Sequence, residues 1–336
     1  MNRIVSGSFP EKVIHGGHSR RYSEKHGEPF LDFSANLNPF QPDIGWDPAD
    51  VSPDTYPDDD YATLKECIAR VFHRDPDEIA IGNGSIELIR VFCLASFRKG
   101  GTYRVDMPTF GEYAFSAELA GARAAPAGSA PAVTFLCNPN NPTGRLFSGN
   151  EVRAILRESV SGGSRLFLDE AFIELADPSA SLVGDTDPGL FVLRSLTKSF
   201  SVPGIRFGYG FGEEDLVRMI ETIRPPWSVN AYAEHFALKA FSCYDLLEES
   251  RARIAQERKW LHGSLESLGL DPQPAWANFI LVGLGRSASD ICARLEKYRI
   301  LVRDCTSFGL PSSIRVAVRG RDENRRLVEA LAGCLH

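Results

Sequence analysis

The chain lacks the features that direct a protein to a membrane, a nucleic acid or an oxidising compartment. No apolar run is long enough to span a bilayer, and the opening Met1-Asn2-Arg3-Ile4-Val5-Ser6-Gly7 has no apolar core of the secretory kind. A cytoplasmic protein is expected. Lysine and arginine (37) are outnumbered by aspartate and glutamate (44), giving a formal charge of -7, and no basic stripe is present. That balance argues against a nucleic-acid partner, although a local basic pocket remains compatible with it. Seven cysteines, Cys67, Cys93, Cys137, Cys243, Cys292, Cys305 and Cys334, include no Cys-x-x-Cys pair. An odd number so scattered reads as reduced thiols, several buried as small hydrophobes. His15 and His18 lie close, in His15-Gly16-Gly17-His18, but no third ligand is near in sequence, so no metal site is expected.

What is present is an ordinary globular chain of 336 residues, 43% hydrophobic and 24% charged, with length for one large unit and one smaller. From about Tyr61 to Glu213, short β-rich runs alternate with amphipathic stretches such as Glu151 to Ser159. The alternation predicts an α/β unit of three layers with a mostly parallel sheet. After Pro225-Pro226 the texture changes: Tyr244 to Leu268, rich in Leu, Glu, Arg and Ala, predicts one long helix. Asn278 to Val282, Leu301 to Arg303 and Ile314 to Val318 predict strands of a small α+β domain. The expected organisation is an N-terminal arm with a substrate-site segment (1–50), a large domain (51–230), and an inter-domain helix with the small C-terminal domain (231–336). No internal repeat is evident, and the Ala/Pro/Gly-rich stretch Ala124 to Pro131 reads as a loop.

Three segments carry chemistry. Ser195-Leu196-Thr197-Lys198-Ser199-Phe200 follows the strand-like Gly189 to Arg194, with Pro203-Gly204-Ile205-Arg206 close behind. This brings a lysine to a sheet's end among hydroxyls and an arginine, a setting for Schiff-base chemistry on a phosphorylated aldehyde. Alone, Ser-x-x-Lys also suits a surface loop. Asn138-Pro139-Asn140-Asn141-Pro142-Thr143-Gly144 follows the apolar Val133 to Cys137, placing amides and a turn where open α/β sheets bind ligands. Arg165 to Phe172 reads as a buried strand ending in Asp169 and Glu170, and a buried carboxylate demands a cationic partner. A protonated pyridine nitrogen would serve, and so would an arginine or a helix cap. A fourth segment, Gly82-Asn83-Gly84-Ser85, lies between strand-like Glu78 to Ile81 and an apolar-periodic helix from Ile86. Glycines let backbone N–H groups approach an anion, and a helix N-terminus favours negative charge there.

With amide turn, strand-end acid and lysine in this order, nearly the whole chain resembles the fold-type I pyridoxal phosphate enzymes. The likeness is to the branch of histidinol-phosphate aminotransferase and threonine-phosphate decarboxylase. The resemblance implies that fold and pyridoxal 5'-phosphate as cofactor. It implies Lys198 as the Schiff-base lysine, Asp169 on the pyridine nitrogen, and Asn141 on the phenolic oxygen. Ser195, Arg206 and the loop Gly84, Ser85 and Ile86 would hold the phosphate, with Phe110 stacked on the ring. Tyr56, in Thr55-Tyr56-Pro57-Asp58, matches a tyrosine that reaches the neighbouring subunit's cofactor, which implies a homodimer. Arg303 and Arg315 match arginines for substrate phosphate and carboxylate, whose planar forks suit both anions. Asn36 matches a residue near the carboxylate, and His15 is assigned to the phosphate. The resemblance implies a small amino acid or amino phosphate as substrate.

Two further features bear on the reaction. The decarboxylase, which supplies aminopropanol phosphate for cobalamin synthesis, carries His-Gly-Gly and Asp-Phe-Ser-x-Asn-x-Asn-Pro; this chain has His15-Gly16-Gly17 and Asp32-Phe33-Ser34-Ala35-Asn36-Leu37-Asn38-Pro39. Phe172 stands where the aminotransferase typically has a tyrosine whose hydroxyl meets the phenolic oxygen. Both favour a decarboxylating lyase over a histidinol-phosphate-type aminotransferase acting with 2-oxoglutarate.

Overall fold

The computed structural model describes residues 10–335, so the Met1 to Gly7 stretch read for a leader lies outside it. Its strands are β1 (Leu31–Asp32), β2 (Ile79–Gly82), β3 (Thr102–Val105), β4 (Arg123–Ala124), β5 (Val133–Cys137), β6 (Arg165–Asp169), β7 (Leu190–Ser195), β8 (Gly208–Phe211), β9 (Asp271–Pro272), β10 (Phe279–Gly283), β11 (Ile300–Leu301), β12 (Arg303–Asp304) and β13 (Ser313–Ala317). The helices are α1 (Ser19–His26), α2 (Ala62–Phe72), α3 (Ser85–Ser96), α4 (Glu112–Leu119), α5 (Gly149–Ser161), α6 (Leu196–Ser199), α7 (Glu214–Ile223), α8 (Ala231–Ser242), α9 (Leu247–Ser267), α10 (Ala288–Glu296) and α11 (Arg321–Leu335).

Seven strands form one sheet in the order β2-β8-β7-β6-β5-β3-β4, with β8 antiparallel to both neighbours and the other pairs parallel. Central β7 is buried at every position and β6 at all but its first, as a parallel sheet covered by helices on both faces requires. On one face Leu168, Val192 and Tyr209 pack with α2, α5 and α8; on the other Phe135, Phe167 and Phe191 pack with α3, α4 and α7. Each fully buried phenylalanine contributes about 1.5–3 kcal/mol by leaving water. Helix α5 starts where the sequence allows it: Ser148 Oγ accepts from Glu151 N–H at 3.3 Å, while Glu151 accepts the Ser148 N–H at 2.7 Å.

The C-terminal half builds a four-stranded antiparallel sheet, β12-β13-β10-β9, against α9, α10 and α11. Two expectations are corrected here. Leu301 to Arg303 is not one strand: Leu301 pairs with Asp32 in β1–β11, and past Val302 the chain changes partner, so that Arg303 pairs with Arg315. Helix α8, expected with the small C-terminal domain, packs on the large sheet instead. Its Ala233, Phe236, Ala237, Ala240 and Phe241 form an apolar stripe, spaced three and four apart, that joins the cluster of Tyr209 and Phe211. Residues 31–34 of the arm are stitched to the small sheet, with the Phe33 N–H donating to Leu301 O at 2.7 Å and the Ala317 N–H to Phe33 O at 2.9 Å. No helix among the described residues is long and apolar enough to cross a membrane.

Candidate active site

The parallel register aligns the carboxyl ends of three strands: Cys137 opposes Asp169, and Asp169 opposes Leu193. These ends deliver Asn141, Asp169 and Lys198. Lys198 sits on α6, a single turn opened by Ser195, whose Oγ accepts the Thr197 N–H at 3.3 Å. Its carbonyl accepts from Asn38 N–H at 3.0 Å, and Asn38 Nδ2 donates to Ser199 O at 2.7 Å, so the Asp32 to Pro39 segment buttresses the lysine turn. Burial first, then the positive charges of Arg315 and Arg206, push the Lys198 ammonium down to about 8, with Asp169 opposing. About a tenth of the amine is therefore neutral at pH 7.

Asp169 is buried, and among the described residues it forms no ion pair. Its oxygens are met by neutral donors instead: Tyr113 Oη donates to Oδ2 at 2.6 Å and the Ala171 N–H to Oδ1 at 2.9 Å. Burial raises this carboxyl to about 6, while both hydrogen bonds and the Lys198 charge pull it down and Glu170 pushes it up. An arginine, one of the partners that a buried carboxylate at this strand end could take, is found one residue on. Arg194 pairs with Glu170 at 2.9 Å and also with Glu174.

The Arg206 charge reaches Lys198, and the backbone around Arg206 is closely fitted. Gly84 takes φ 75, ψ 159, open to glycine and strained for other residues, and a Cβ there would strike the Arg206 guanidinium. Gly208 likewise has no room for a Cβ against the Ser85 N–H backbone. Arg206 itself is held at φ 64, an uncommon conformation for a non-glycine residue. Thr197 Oγ1 is buried without a hydrogen-bond partner. Ser195 is buried, and Ser85 and Ile86 are half-buried.

The amide turn is tied to the segment carrying Phe110: Asn140 Nδ2 donates to Pro108 O at 3.0 Å, and Asn140 Oδ1 accepts from Thr109 Oγ1 at 2.8 Å. Phe110 lies 6.0 Å from the His15 ring and 5.6 Å from the Tyr113 ring. Phe172 is buried edge-on to Phe279 at 5.1 Å, so the position is apolar in its surroundings as well as its identity.

Arg303 and Arg315 oppose each other on β12 and β13, both buried. Like charges directly across a strand pair repel, and burial with the Arg303 charge lowers the Arg315 guanidinium to about 10. Arg315 donates to Ser34 O at 2.9 Å and to Asn141 Oδ1, and its Nε is buried without a partner. Arg303 Nη2 donates to Ile14 O at 2.7 Å and Ser307 Oγ at 2.6 Å, which fixes the fork. Asn36 is buried with Oδ1 unpartnered. Two buried guanidiniums with spare donors could hold a small anion.

His15 stands on the arm, 43% exposed, with Nε2 2.9 Å from Glu112 Oε1. Burial would raise Glu112, but the bonds to His15 and Arg90 outweigh it and hold the carboxyl below its usual range. The Gly17 N–H donates to Ser34 Oγ at 2.9 Å, and Gly16 packs so closely that a Cβ would lie 2.7 Å from Ser34 O. Glu112→Ala should loosen this arm. With the His15 end of the pair open to solvent the loss is about 0.5–1 kcal/mol, so trypsin cleavage at Lys12, Arg20 and Arg21 should quicken about two- to fivefold without a change in melting. Unaltered cleavage would show that Glu112 does not hold the arm.

Tyr56 is not brought to the other residues. It is 81% exposed, its ring 4.7 Å from that of Trp227. Residues that sequence reasoning missed are Tyr113, Glu112, Ser34 and Arg194. A tyrosine three residues past Phe110 on an apolar helix was the available signal for the first. Among the described residues no group of three His, Cys, Asp or Glu side chains is arranged to hold a metal, and the seven cysteines are unpaired.

A family model described as aminotransferase class I and II matches residues 122–331. A histidinol-phosphate aminotransferase of Symbiobacterium thermophilum is 34% identical over 84% of this chain and 82% of its own. A protein of Caldanaerobacter subterraneus subsp. tengcongensis, provisionally named a threonine-phosphate decarboxylase, is 33% identical over 92% of this chain and 93% of its own. Among solved structures, the histidinol-phosphate aminotransferase from Clostridium acetobutylicum superposes with a TM-score of 0.83 at 29% identity, covering 90% of this chain and 98% of that one.

Proposed function

Since the chain belongs to the class I and II aminotransferase family, whose cofactor is pyridoxal phosphate, we propose that it decarboxylates L-threonine O-3-phosphate to aminopropanol phosphate, a step toward cobalamin. The residues present fit the cofactor: Thr197 Oγ1 is an orphaned buried hydroxyl, Gly84 and Gly208 leave a cradle that a Cβ would fill, and Asp169 is a buried acid without a cation. Lys198 would take the aldehyde and Asp169 the ring nitrogen. Ser195, Thr197, Arg206 and the Gly84–Ser85 backbone would take the phosphate, Asn141 the phenolic oxygen, and Phe110 one ring face. The bound cofactor supplies an aldehyde that condenses with amines and a ring that accepts the electron pair of a broken bond to Cα.

The chain's own work is positioning and proton transfer. Arg315, with Asn36, would orient the α-carboxylate, while Arg303 and His15 would receive the phosphate. Holding the carboxylate across the ring plane directs the reaction to loss of carbon dioxide; holding the α-hydrogen there presents it to Lys198 Nζ. In either case Lys198 Nζ, lowered toward neutrality by burial, holds or returns the proton.

The observation that carries the decarboxylase reading is the junction of two segments. His15-Gly16-Gly17 packs on Ser34 of Asp32 to Asn38, and the Ser34 carbonyl accepts from Arg315. An apolar Phe172 supports it. The second reading, a histidinol-phosphate-type aminotransferase, is favoured by the 34% identical relative of that name. Purified, cofactor-loaded protein should release carbon dioxide stoichiometrically from L-threonine O-3-phosphate while its cofactor stays in the aldehyde state. No carbon dioxide, with amination of the cofactor by histidinol phosphate and its reversal by 2-oxoglutarate, would replace the first reading by the second. We further propose a homodimer in which Tyr56 reaches the neighbouring site, consistent with its exposed stack on Trp227.

A further inference from the structure

We propose that Tyr113 is a positioning residue that fixes the direction and ionisation of the Asp169 carboxylate presented to the cofactor's ring nitrogen. The proposal rests on the reading of Asp169 given above. Tyr113 is fully buried on α4, its ring stacked on Phe135 at 5.5 Å and 11° and edge-on to Phe110 at 5.6 Å. Its ring thus joins the aromatic assigned to the cofactor's face to the acid assigned to the cofactor's nitrogen. Together with the Ala171 N–H, the 2.6 Å bond from its hydroxyl pins both carboxylate oxygens from two separate elements. A carboxylate so held keeps one plane, and it retains lone pairs for a further donor.

The groups facing Asp169 are Tyr113 from α4, Cys137 from β5, its neighbour Glu170 just past β6 and Lys198 from α6. Burial and the Asp169 charge hold the Tyr113 phenol well above its usual range. It therefore stays protonated and acts toward Asp169 as a donor. Cys137 is likewise pushed up by burial and remains a neutral thiol. Lys198 favours the ionised carboxylate, and Glu170 opposes it. The tyrosine hydroxyl is therefore a neutral donor that keeps a desolvated carboxylate ionised, and its removal works in one direction. A hydrogen bond to an ionised acceptor corresponds to about 1–2 pH units in midpoint, so Asp169 should move from about 6 toward about 7–8.

The test uses Tyr113→Phe and Asp169→Asn beside the unaltered chain. With 13C-carboxyl aspartate incorporated, the Asp169 resonance of the cofactor-free protein is assigned by its loss in Asp169→Asn and then titrated. Its midpoint should rise by about 1–2 pH units in Tyr113→Phe. Pyridoxal phosphate affinity, compared between the two chains at each pH, should fall about two- to tenfold at pH 7 and differ by under about 1.2-fold at pH 9, where Asp169 is ionised in both. Comparison at equal pH cancels the titrations of Lys198 and of the cofactor itself. An unmoved midpoint, or a loss equal at pH 7 and pH 9 as a packing defect would give, overturns the proposal. An Asp169→Asn chain that holds the cofactor as tightly as the unaltered one overturns the reading beneath it, and the proposal with it. Thermal melts of the cofactor-free chains establish that Tyr113→Phe folds. If it does not, the Tyr113 hydroxyl proton of the unaltered chain should shift with the Asp169 midpoint, and a resonance that fails to titrate overturns the proposal.

Discussion

Replacing Lys198 with alanine is expected to lower turnover by about four to six orders of magnitude with either amino substrate, because in the proposed role one amine serves as both nucleophile and proton carrier. The fold should survive, since Lys198 is half-buried and forms no ion pair among the described residues. Two measurements separate chemistry from collapse. Borohydride reduction should fix pyridoxal phosphate covalently to the unaltered chain and not to Lys198→Ala, while circular dichroism of the two stays the same. The position near 8 adds a pH signature. Only the neutral amine attacks an aldehyde, so about a tenth of the lysine is competent at pH 7 and about a hundredth at pH 6. Covalent capture in the unaltered chain should therefore slow about tenfold per unit below pH 7 and level off above about pH 9. Normal turnover by Lys198→Ala, or capture indifferent to pH, would remove Lys198 from the role assigned to it.

Lys198, Asp169 and Asn141 were legible because each is local to a strand end, where a buried apolar run followed by polar residues states its own geometry. The same holds for the cradle, in which glycines at 82 and 84 and the helix from Ser85 form one continuous segment. What the sequence withheld is pairing at a distance. Tyr113 reaches Asp169 across 56 residues and His15 reaches Glu112 across 97, and no local pattern records either partner. Helix α8 shows the same limit in the fold. Its periodic stripe announces that one face is buried, but the sheet it covers is settled by shape, by the groove left beside Tyr209 and Phe211. The break at Val302 is similar, for an apolar run of three gives no sign that its two ends pair with different strands.

The largest stability effect is expected at Arg194, legible in the sequence only as the last residue of a strand-like run. It is 2% exposed, donates to Glu170 at 2.9 Å and to Ser181 Oγ at 2.6 Å, and also pairs with Glu174. Glu170 is fully buried and further held by Leu182 N–H at 2.9 Å and Ser181 Oγ at 2.7 Å. Arg194→Met would keep the apolar contacts of the stem and leave two buried carboxylates without a cation, at a cost of about 3–5 kcal/mol. For a chain of this length that corresponds to a melting temperature lower by about 4–7 °C. Adding Glu170→Gln and Glu174→Gln to Arg194→Met removes the stranded charges and should recover more than half of the loss; equal melting of the single and triple variants would show that packing, not charge, makes the difference. The clamp bears on the site because Glu170 follows Asp169 and Arg194 precedes Ser195. It fastens the carboxyl ends of β6 and β7 from behind, so that the acid and the lysine turn that those strands deliver are held in one register. Cofactor affinity should accordingly fall with Arg194→Met and return with the triple variant, although none of the three side chains is assigned to the cofactor.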